Sequence, residues 1–200
     1  SRADGTPVAQ AMHCGAFAER VVVDQSQVVP LPDAMPPEAV ALMACGVITG
    51  IGAVVNAGKL RAGEDVVVIG AGGVGLNAIQ GARIAGARRI VAVDVTQDKL
   101  DTAKAFGATD GVLATDAAPW KQVMRILGRG ADLVAVTVGA IPAYNHAPRY
   151  LGWGGRMVMI GMPHSGAMAE YEPVVLAYMA QGMIGSKMGD VVIRRDITWL

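Results

Sequence analysis

The chain has 200 residues, 52% of them hydrophobic, and its 17 lysines and arginines balance its 17 aspartates and glutamates. A chain of this length and composition can bury a substantial core, which argues against global disorder. The zero net charge and the lack of a polybasic run argue against nucleic acid and against an anionic membrane as partners.

The first elements along the chain are two short extended pieces within residues 17–31, FAERVVV and QVVPLP. We interpret residues 1–35 as a partial β-rich segment, and residues 36–200 as a second domain. Cys14 and Cys45 are too few and too scattered for a disulfide framework, so we expect a reducing, cytoplasmic environment.

A stretch without any charged residue follows, from residue 39 to residue 58. Its length is about that needed to cross a bilayer. However, Thr49, Asn56 and several glycines interrupt it, and one side lacks the basic flank that orients membrane helices. We therefore predict a pair of buried helices here, beginning near Pro36 and Pro37, which suit the first turn of a helix.

From residue 65 onwards, short apolar runs alternate with helix-like stretches. Runs that are nearly free of charge are typical of strands buried on both faces of a parallel sheet. The predicted strands cover 65–69, 89–93, 111–114, 132–138, 156–160 and 182–187, and the predicted helices 73–86, 97–106, 117–128, 141–151 and 173–180. This alternation predicts an α/β fold with a doubly wound, six-stranded parallel sheet in the order 3-2-1-4-5-6.

A glycine-rich motif, GAGGVG at 70–75, links the first of these strands to its helix and fits G-x-G-x-x-G. Gly70 permits the tight turn, Gly72 lets the backbone approach a pyrophosphate, and Gly75 lets the helix pack on the sheet. The positive end of that helix then faces the phosphates. We assign the pyrophosphate site to Gly70, Gly72, Gly73, Val74 and Gly75.

Asp94 ends the second predicted strand, about twenty residues after the motif, where a carboxylate can accept both ribose hydroxyls of the cofactor. A carboxylate there also repels the 2′-phosphate of NADP, and neither Val95 nor Thr96 supplies a positive charge for that phosphate. The sequence therefore predicts NAD as the cofactor. The alternative is that Asp94 only caps the next helix.

The stretch from Ala44 to Ala108 contains a Cys-Gly pair, a Thr-Gly pair, and the patterns AGxxxGxxVxVxGxGGVG and GAxxIxxVDxxxxKLxxAxxxGA. In this it resembles the zinc-containing alcohol dehydrogenases of the medium-chain dehydrogenase/reductase family. Weaker similarity extends from FAERVVV to SKMGD at 186–190. The resemblance implies a fragment in which residues 1–35 are the remnant of a β-rich catalytic domain and residues 36–200 are the NAD-binding domain, with further parts of the protein before and after it.

The resemblance also implies a catalytic zinc in the intact enzyme, with Cys45 as the last of three protein ligands. The other two ligands lie in an N-terminal portion that this chain lacks, so we expect no zinc bound here. Thr49 matches a position beside the nicotinamide and is grouped with Cys45 as catalytic. The alternative for Cys45 is an ordinary core cysteine.

The remaining cofactor contacts are likewise implied by the resemblance. Lys99 matches a residue at the adenosine ribose, and the loop after the fourth strand matches one that covers the nicotinamide ribose or the adenosine side. The loops after the fifth and sixth strands match segments whose backbone meets the nicotinamide carboxamide. Asp190 departs from the glycine usual in the last of these segments. The alternative for the apolar positions is strand-end core, and the chain's histidines, His13, His146 and His164, are predicted as surface or helix-face residues. The loop positions are Val138, Ile160, Met162, Ser186 and Met188.

The function implied is NAD-dependent, reversible oxidation of a small alcohol to an aldehyde or ketone, with zinc acting as a Lewis acid. Two alternatives are a zinc-free quinone or enoyl reductase, which usually prefers NADPH, and a non-catalytic NAD-binding domain. The sixth strand is an apolar sheet edge, which favours self-pairing in a homodimer or in a tetramer of dimers. Met183 and Ile184 are the expected interface residues.

Overall fold

The computed structural model describes residues 4–7 and 14–199. The chain divides into two compact units, Pro36–Val191 and a smaller unit of Ser1–Met35 with Val192–Leu200. The assignment of residues 1–35 to a catalytic-domain remnant and of 36–200 to an NAD-binding domain remains a prediction.

The larger unit is built on six parallel strands in the order β3-β2-β1-β4-β5-β6, which confirms the predicted fold class and strand order. The first four predicted strands fall on observed ones to within two residues at either end. The strands are β1 (Asp65–Ile69), β2 (Arg89–Asp94), β3 (Asp110–Leu113), β4 (Ala131–Val136), β5 (Leu151–Met159) and β6 (Gly182–Gly185).

The helical stretch Pro37–Ala57 precedes the sheet. It contains the α-helical segments α1 (Pro37–Leu42) and α2 (Ile48–Gly52), each followed by a π-helical segment, Met43–Val47 and Ala53–Ala57. The predicted pair of helices is therefore wrong: the π-helical segments keep the stretch continuous. Among the described residues it is also the one helix that is long and apolar enough to span a membrane.

Packing of α2 explains why this stretch is apolar. A Cβ atom on Gly50 would lie 2.4 Å from the backbone oxygen of Val74, and one on Gly81 would lie 2.9 Å from Cα of Ile51. The glycines thus let α2 touch the next helix, α3 (Gly73–Ile84), backbone to backbone. The second half of the stretch lies in the core, whereas α1 contains no buried residue.

The remaining helices of this unit cover both faces of the sheet. Successive residues of β1 explain the unbroken apolar runs, because Val66 and Val68 join the core layer that contains α3, while Val67 and Ile69 join the layer on the other face. Both layers exclude water, so both sides of the strand are apolar. The helices are α4 (Gln97–Ala105), α5 (Pro119–Leu127), α6 (Ile141–His146) and α7 (Pro173–Tyr178), with a 3-10 helix at Ala147–Tyr150.

The largest departure from the predicted boundaries lies before β5. The predicted helix 141–151 ends at His146, and the strand begins at Leu151 instead of residue 156. Pairing with β4 shifts register between Ala131 and Leu133, where a Cβ atom on Gly130 would lie only 2.4 Å from Cα of Gly152. This close approach of two glycines extends the strand, and it depends on tertiary packing that no local pattern records.

The smaller unit contains a 3-10 helix, Gln25–Gln27, and the helix α8 (Ile193–Trp199). Within it, Nη2 of Arg194 donates to the backbone oxygen of Gln25 at 2.8 Å. The described residues of this unit form no strand, so the β-rich character expected of residues 1–35 does not appear there. Val22 is fully exposed, and an extended piece without a neighbouring strand is not stable as a β-strand. His13 lies outside the described residues.

Candidate cofactor site

The turn between β1 and α3 has the geometry that the glycine motif predicts. Gly70 adopts a φ of +97°, a conformation that glycine favours. A Cβ atom on Gly75 would lie 1.8 Å from the backbone oxygen of Gly70, so no other residue fits there. Gly72 and Gly73 are exposed, and a Cβ atom on either would meet nothing within 4 Å. The loop is therefore closely packed where Gly75 meets Gly70, and open to solvent at Gly72 and Gly73.

The open side of the loop coincides with the start of α3. The helix has 12 residues, Gly72 precedes it with extended backbone, and its first turn contains no acidic residue. Unpaired N–H groups and the positive end of the helix dipole therefore face the loop without a competing carboxylate. Val74 and Gly75 belong to this first turn. The arrangement fits the pyrophosphate of a dinucleotide.

Asp94 lies at the end of β2 and is only 6% exposed. Its Oδ2 accepts a hydrogen bond from the N–H of Ala71 at 2.7 Å, and its Oδ1 accepts from the N–H of Val95 at 2.8 Å. Nζ of Lys99 lies 4.0 Å from the same Oδ1. Asp94 therefore does more than cap the chain after β2: it ties the glycine loop to β2 and places a carboxylate beside Lys99.

A cleft of about 410 Å³ opens beside these residues, at the carboxyl ends of the strands. This is where doubly wound sheets bind their ligands. Gly70, Asp94, Lys99 and Val138 line it, so the structure brings these four predicted residues together. The rest of the lining is Ile69, Val93, Val95, Ala114, Pro119, Ala140, Pro142, Ala143, His146 and Tyr150.

Two residues of this lining that carry polar groups, His146 and Tyr150, were not predicted as site residues from the sequence. His146 was expected on a surface or helix face, but it is half-buried in the cleft, with its ring centroid 5.1 Å from that of Trp120. Burial raises the pKa of Tyr150 to about 12, so this phenol stays neutral. Both follow α5 and precede β5, where the predicted boundaries were poorest. His164, in contrast, is exposed as predicted.

The loop after β5 is held against the end of β4. Backbone N–H groups of Ile160 and Gly161 both donate to the oxygen of Val136, at 3.0 and 2.9 Å. The Tyr144 hydroxyl donates to the backbone oxygen of Gly161. Burial raises the pKa of Tyr144, so it remains a donor at neutral pH. The predicted residues here differ in environment: Ile160 is buried, whereas the Met162 side chain is 91% exposed.

The segment after β6 carries unusual backbone. Met188, Gly189 and Asp190 have φ values of 54°, 71° and 49°. Because residues with positive φ are usually glycine, this conformation explains the departure at Asp190, a residue type that tolerates it better than most. A Cβ atom on Gly189 would lie 2.2 Å from the backbone oxygen of Ile48, so the turn packs directly on α2. Thr49, half-buried, belongs to that helix.

Ser186 connects this turn to the sheet. Its N–H donates to the backbone oxygen of Met159 at 2.9 Å, which aligns the end of β6 with the end of β5. Its Oγ is buried without a hydrogen-bond partner. The backbone positions of Ser186 and Met188 are thus fixed by packing against β5 and α2. The lining of the 410 Å³ cleft includes neither residue, nor Thr49, Ile160 or Met162.

Cys45 lies exposed on the π-helical segment Met43–Val47. Among residues 4–7 and 14–199, no three His, Cys, Asp or Glu side chains come together as a metal site requires. Within these ranges the residues therefore do not by themselves fit a catalytic zinc.

Comparison with known proteins agrees with this geometry. Residues 73–199 match the family described as zinc-binding dehydrogenase. The NDMA-dependent alcohol dehydrogenase of Amycolatopsis methanolica is 38% identical over 160 residues, 79% of this chain and 43% of that protein.

Solved structures give the same result. Benzyl alcohol dehydrogenase from Acinetobacter calcoaceticus superposes with a TM-score of 0.89 at 27% identity, over 92% of this chain and 51% of that one. A Sinorhizobium meliloti protein assigned as a zinc-binding dehydrogenase, solved with NADP bound, superposes with a TM-score of 0.75 at 25% identity, over 82% and 48%. The chain spans about half the length of the curated relatives it matches. These matches confirm the resemblance recognised in residues 44–108: the chain belongs to the zinc-binding dehydrogenase family, to which alcohol dehydrogenases belong.

Proposed function

We propose that the protein is an NAD-dependent alcohol dehydrogenase that reversibly oxidises a small alcohol to an aldehyde or ketone, and that this chain supplies its dinucleotide-binding domain. The observation that carries the proposal is the pairing of the 70–75 glycine turn with the buried Asp94 beside one cleft. The names of the relatives, two of them alcohol dehydrogenases, support the same substrate class.

In this proposal the chain's own residues bind and orient the cofactor. The N–H groups at the start of α3 hold the pyrophosphate, and Asp94 with Lys99 holds the adenosine ribose. The loops at Ile160–Met162 and Ser186–Met188 position the nicotinamide carboxamide through backbone groups. Val138 lies between the adenosine half and the nicotinamide half of the cofactor. NAD, when bound, accepts the hydride from the alcohol carbon. Thr49 on α2 lies on the nicotinamide side of the site.

We propose further that Cys45 is one ligand of the zinc in the intact protein, with the other ligands on portions that this chain does not contain. Its exposure supports this role, because a core cysteine would be buried. Zinc analysis of the full-length protein and of its Cys45→Ser variant tests the assignment. Equal, stoichiometric zinc in both proteins contradicts it.

The choice of NAD over NADP rests on Asp94. Its carboxylate accepts hydrogen bonds from three backbone N–H groups and lines the cleft, where a 2′-phosphate would meet a like charge. Because one relative was solved with NADP bound, the preference for NAD over NADP has to be measured for this chain itself. We expect NAD to bind at least about tenfold more tightly than NADP, as one uncompensated charge repulsion implies.

Isothermal titration of both cofactors into the wild-type chain and into Asp94→Asn measures this preference. Asparagine keeps an acceptor for the N–H of Ala71 but removes the charge, so the preference should narrow. Asp98→Asn is the control, because it removes a neighbouring exposed charge in the first turn of α4. Equal affinity of the wild-type chain for both cofactors would contradict the assignment of NAD as the cofactor and favour the zinc-free, NADPH-dependent reductase.

A non-catalytic NAD-binding protein is the other alternative. The wild-type chain would then prefer NAD, but the full-length protein would show no alcohol-dependent reduction of NAD at 340 nm with primary, secondary or benzylic alcohols. Activity with any of these alcohols excludes that alternative.

We propose that the protein is cytoplasmic and assembles as a homodimer, or as a tetramer of such dimers, through β6. This strand is at one edge of the sheet and pairs only with β5. Its residues Met183 and Ile184 are half-buried, and a free apolar edge favours pairing with a second copy. Light scattering at micromolar concentration tests the state. A monomer mass contradicts the proposal, and a dimer that survives Ile184→Lys contradicts the assigned interface.

A further inference from the structure

One hydroxyl group lies where three elements of the candidate cofactor site meet. Thr137 follows β4, and its Oγ1 lies 2.9 Å from the backbone oxygen of Gly70 and 3.0 Å from that of Ile69. A Cβ atom on Gly75 would lie 3.1 Å from the same Oγ1. The hydroxyl therefore contacts the end of β1 and the first turn of α3 from the end of β4.

The peptide between Gly70 and Ala71 is held at both of its polar ends. Its carbonyl oxygen accepts from the Thr137 hydroxyl, and its N–H donates to Oδ2 of Asp94 at 2.7 Å. The N–H of Gly70 donates to the backbone oxygen of Val93 at 2.8 Å. Because Gly70 can adopt many conformations, these three bonds are what select one orientation of the turn.

No water can readily take the place of this hydroxyl. A Cβ atom on Gly75 would lie 1.8 Å from the oxygen of Gly70, so the helix already closes that side of the carbonyl. Gly70 itself is buried. Loss of the hydroxyl would leave an enclosed carbonyl short of a donor, and the turn could restore a bond only by rotating.

We infer that Thr137 is a positioning residue for the pyrophosphate of the dinucleotide, acting through the Gly70–Ala71 peptide. It sets the direction of the 70–75 loop, and with it the direction of the N–H groups that start α3. Thr137 does not itself contact the cofactor. The identity of the ligand rests on the proposed function, whereas the role of the hydroxyl rests on its contacts.

The test compares Thr137→Val, which keeps the shape but removes the hydroxyl, with Thr137→Ser, which keeps the hydroxyl. Dissociation constants are measured for NAD by calorimetry and for adenosine, which lacks the pyrophosphate, by ligand-observed NMR. We expect the valine variant to bind NAD about tenfold more weakly, as the loss of one aligned hydrogen bond implies. Its affinity for adenosine should fall less, because only one of the hydrogen bonds to Asp94 comes from that peptide, and the serine variant should behave as wild type.

Thr109→Val is the matched control. Oγ1 of Thr109 accepts from the N–H of Ile90 and lies near its backbone oxygen, both at 3.1 Å, and it lies 2.7 Å from Oδ2 of Asp110, but beside the starts of β2 and β3. Its removal should lower the melting temperature and leave both affinities unchanged. A purely structural role for Thr137 would make its valine variant behave like this control.

Each outcome decides between the two proposals. Wild-type affinity of Thr137→Val for NAD, or equal weakening of NAD and adenosine, overturns the positioning role while the proposed cofactor stands. Failure of the wild-type chain to bind NAD overturns the proposed function and the inference with it. If Thr137→Val does not fold, a Thr137→Ala variant that loses more affinity for NAD than for adenosine supports the inference, and equal losses or wild-type affinity for NAD overturn it.

Discussion

Removal of the Arg156 guanidinium should cost the larger unit much of its stability. Arg156 lies on β5, and its side chain is 20% exposed. It forms two bonds to the carboxylate of Glu64, at 3.2 and 2.6 Å. It also donates to the backbone oxygens of Gly58, Lys59 and Asp132. The same guanidinium therefore joins β5, the approach to β1, the start of β4 and the end of the helical stretch Pro37–Ala57.

The position of these acceptors explains the expected magnitude. Gly58 and Lys59 follow directly after the last π-helical segment, where carbonyl groups lack partners within the helix and a positive charge is favoured. Arg156→Met would keep most of the apolar stem but leave these carbonyls and the Glu64 carboxylate without their donor. Breaking a largely buried pair of this kind costs about 3 kcal/mol, a large part of the usual stability of a domain.

Urea denaturation followed by circular dichroism at pH 7 measures this loss. The midpoint should fall while the slope of the transition stays constant, which separates a loss of stability from a change in the unfolded state. Arg89→Met is the control, because Arg89 pairs with Asp110 at 3.0 Å on the surface, with 45% of its side chain exposed. Surface pairs contribute about 1 kcal/mol or less. If both variants lose the same stability, the reasoning about the Arg156 network is wrong.

Three further predictions follow from the same structure. Gly75→Ala places a Cβ atom 1.8 Å from a backbone oxygen, so it should abolish NAD binding in calorimetry and lower the melting temperature; wild-type binding would contradict the assigned turn. Burial is the largest single effect on Glu64 and on Asp132 and raises the pKa of each, but hydrogen bonds from arginine side chains and from backbone N–H groups, together with the arginine charges, lower both pKa values overall. Their contribution to the free energy of unfolding is therefore present above the unfolded pKa of about 4, and it is lost as the pH falls through the lower folded pKa values. When the free energy of unfolding is measured against pH, Glu64→Gln should lose less stability in acid than the wild type. Identical profiles refute this prediction. Cys45 is exposed, so it should react with a thiol reagent in the native state at the rate of a small-molecule thiol, and protection until unfolding would contradict its placement.

Residues whose role is local were predictable. The apolar runs of the strands, the glycines of the 70–75 turn and Asp94 after β2 each follow from a short pattern, because burial on both faces and positive φ restrict the residue types within a few positions. The glycine that is usual at the position of Asp190 has a local cause as well, because the backbone there has a positive φ. The sequence alone does not show that φ.

Residues whose role depends on contacts between distant segments were not predictable. Thr137 read as one more residue of an apolar strand, yet β4 ends at Val136 and the Thr137 hydroxyl turns to the β1–α3 turn. His146 was predicted as a surface or helix-face residue and does lie in the last turn of α6, but no local pattern indicated that it also lines the cleft beside Asp94. For neither Thr137 nor His146 do the neighbouring residues in the sequence indicate which segments it contacts.

The sequence by itself determined the fold class, the strand order and the family, and it indicated where the proposed dinucleotide site lies, because these depend on periodicity, on glycine spacing and on one carboxylate at a strand end. Only the tertiary structure decided which side chains orient that site. Thr137 and Tyr144 act on peptides of Gly70 and Gly161, which are 67 and 17 positions away in the chain. Hydrogen bonds between such distant segments form only once the sheet has set the register of its strands, so no local pattern can encode them.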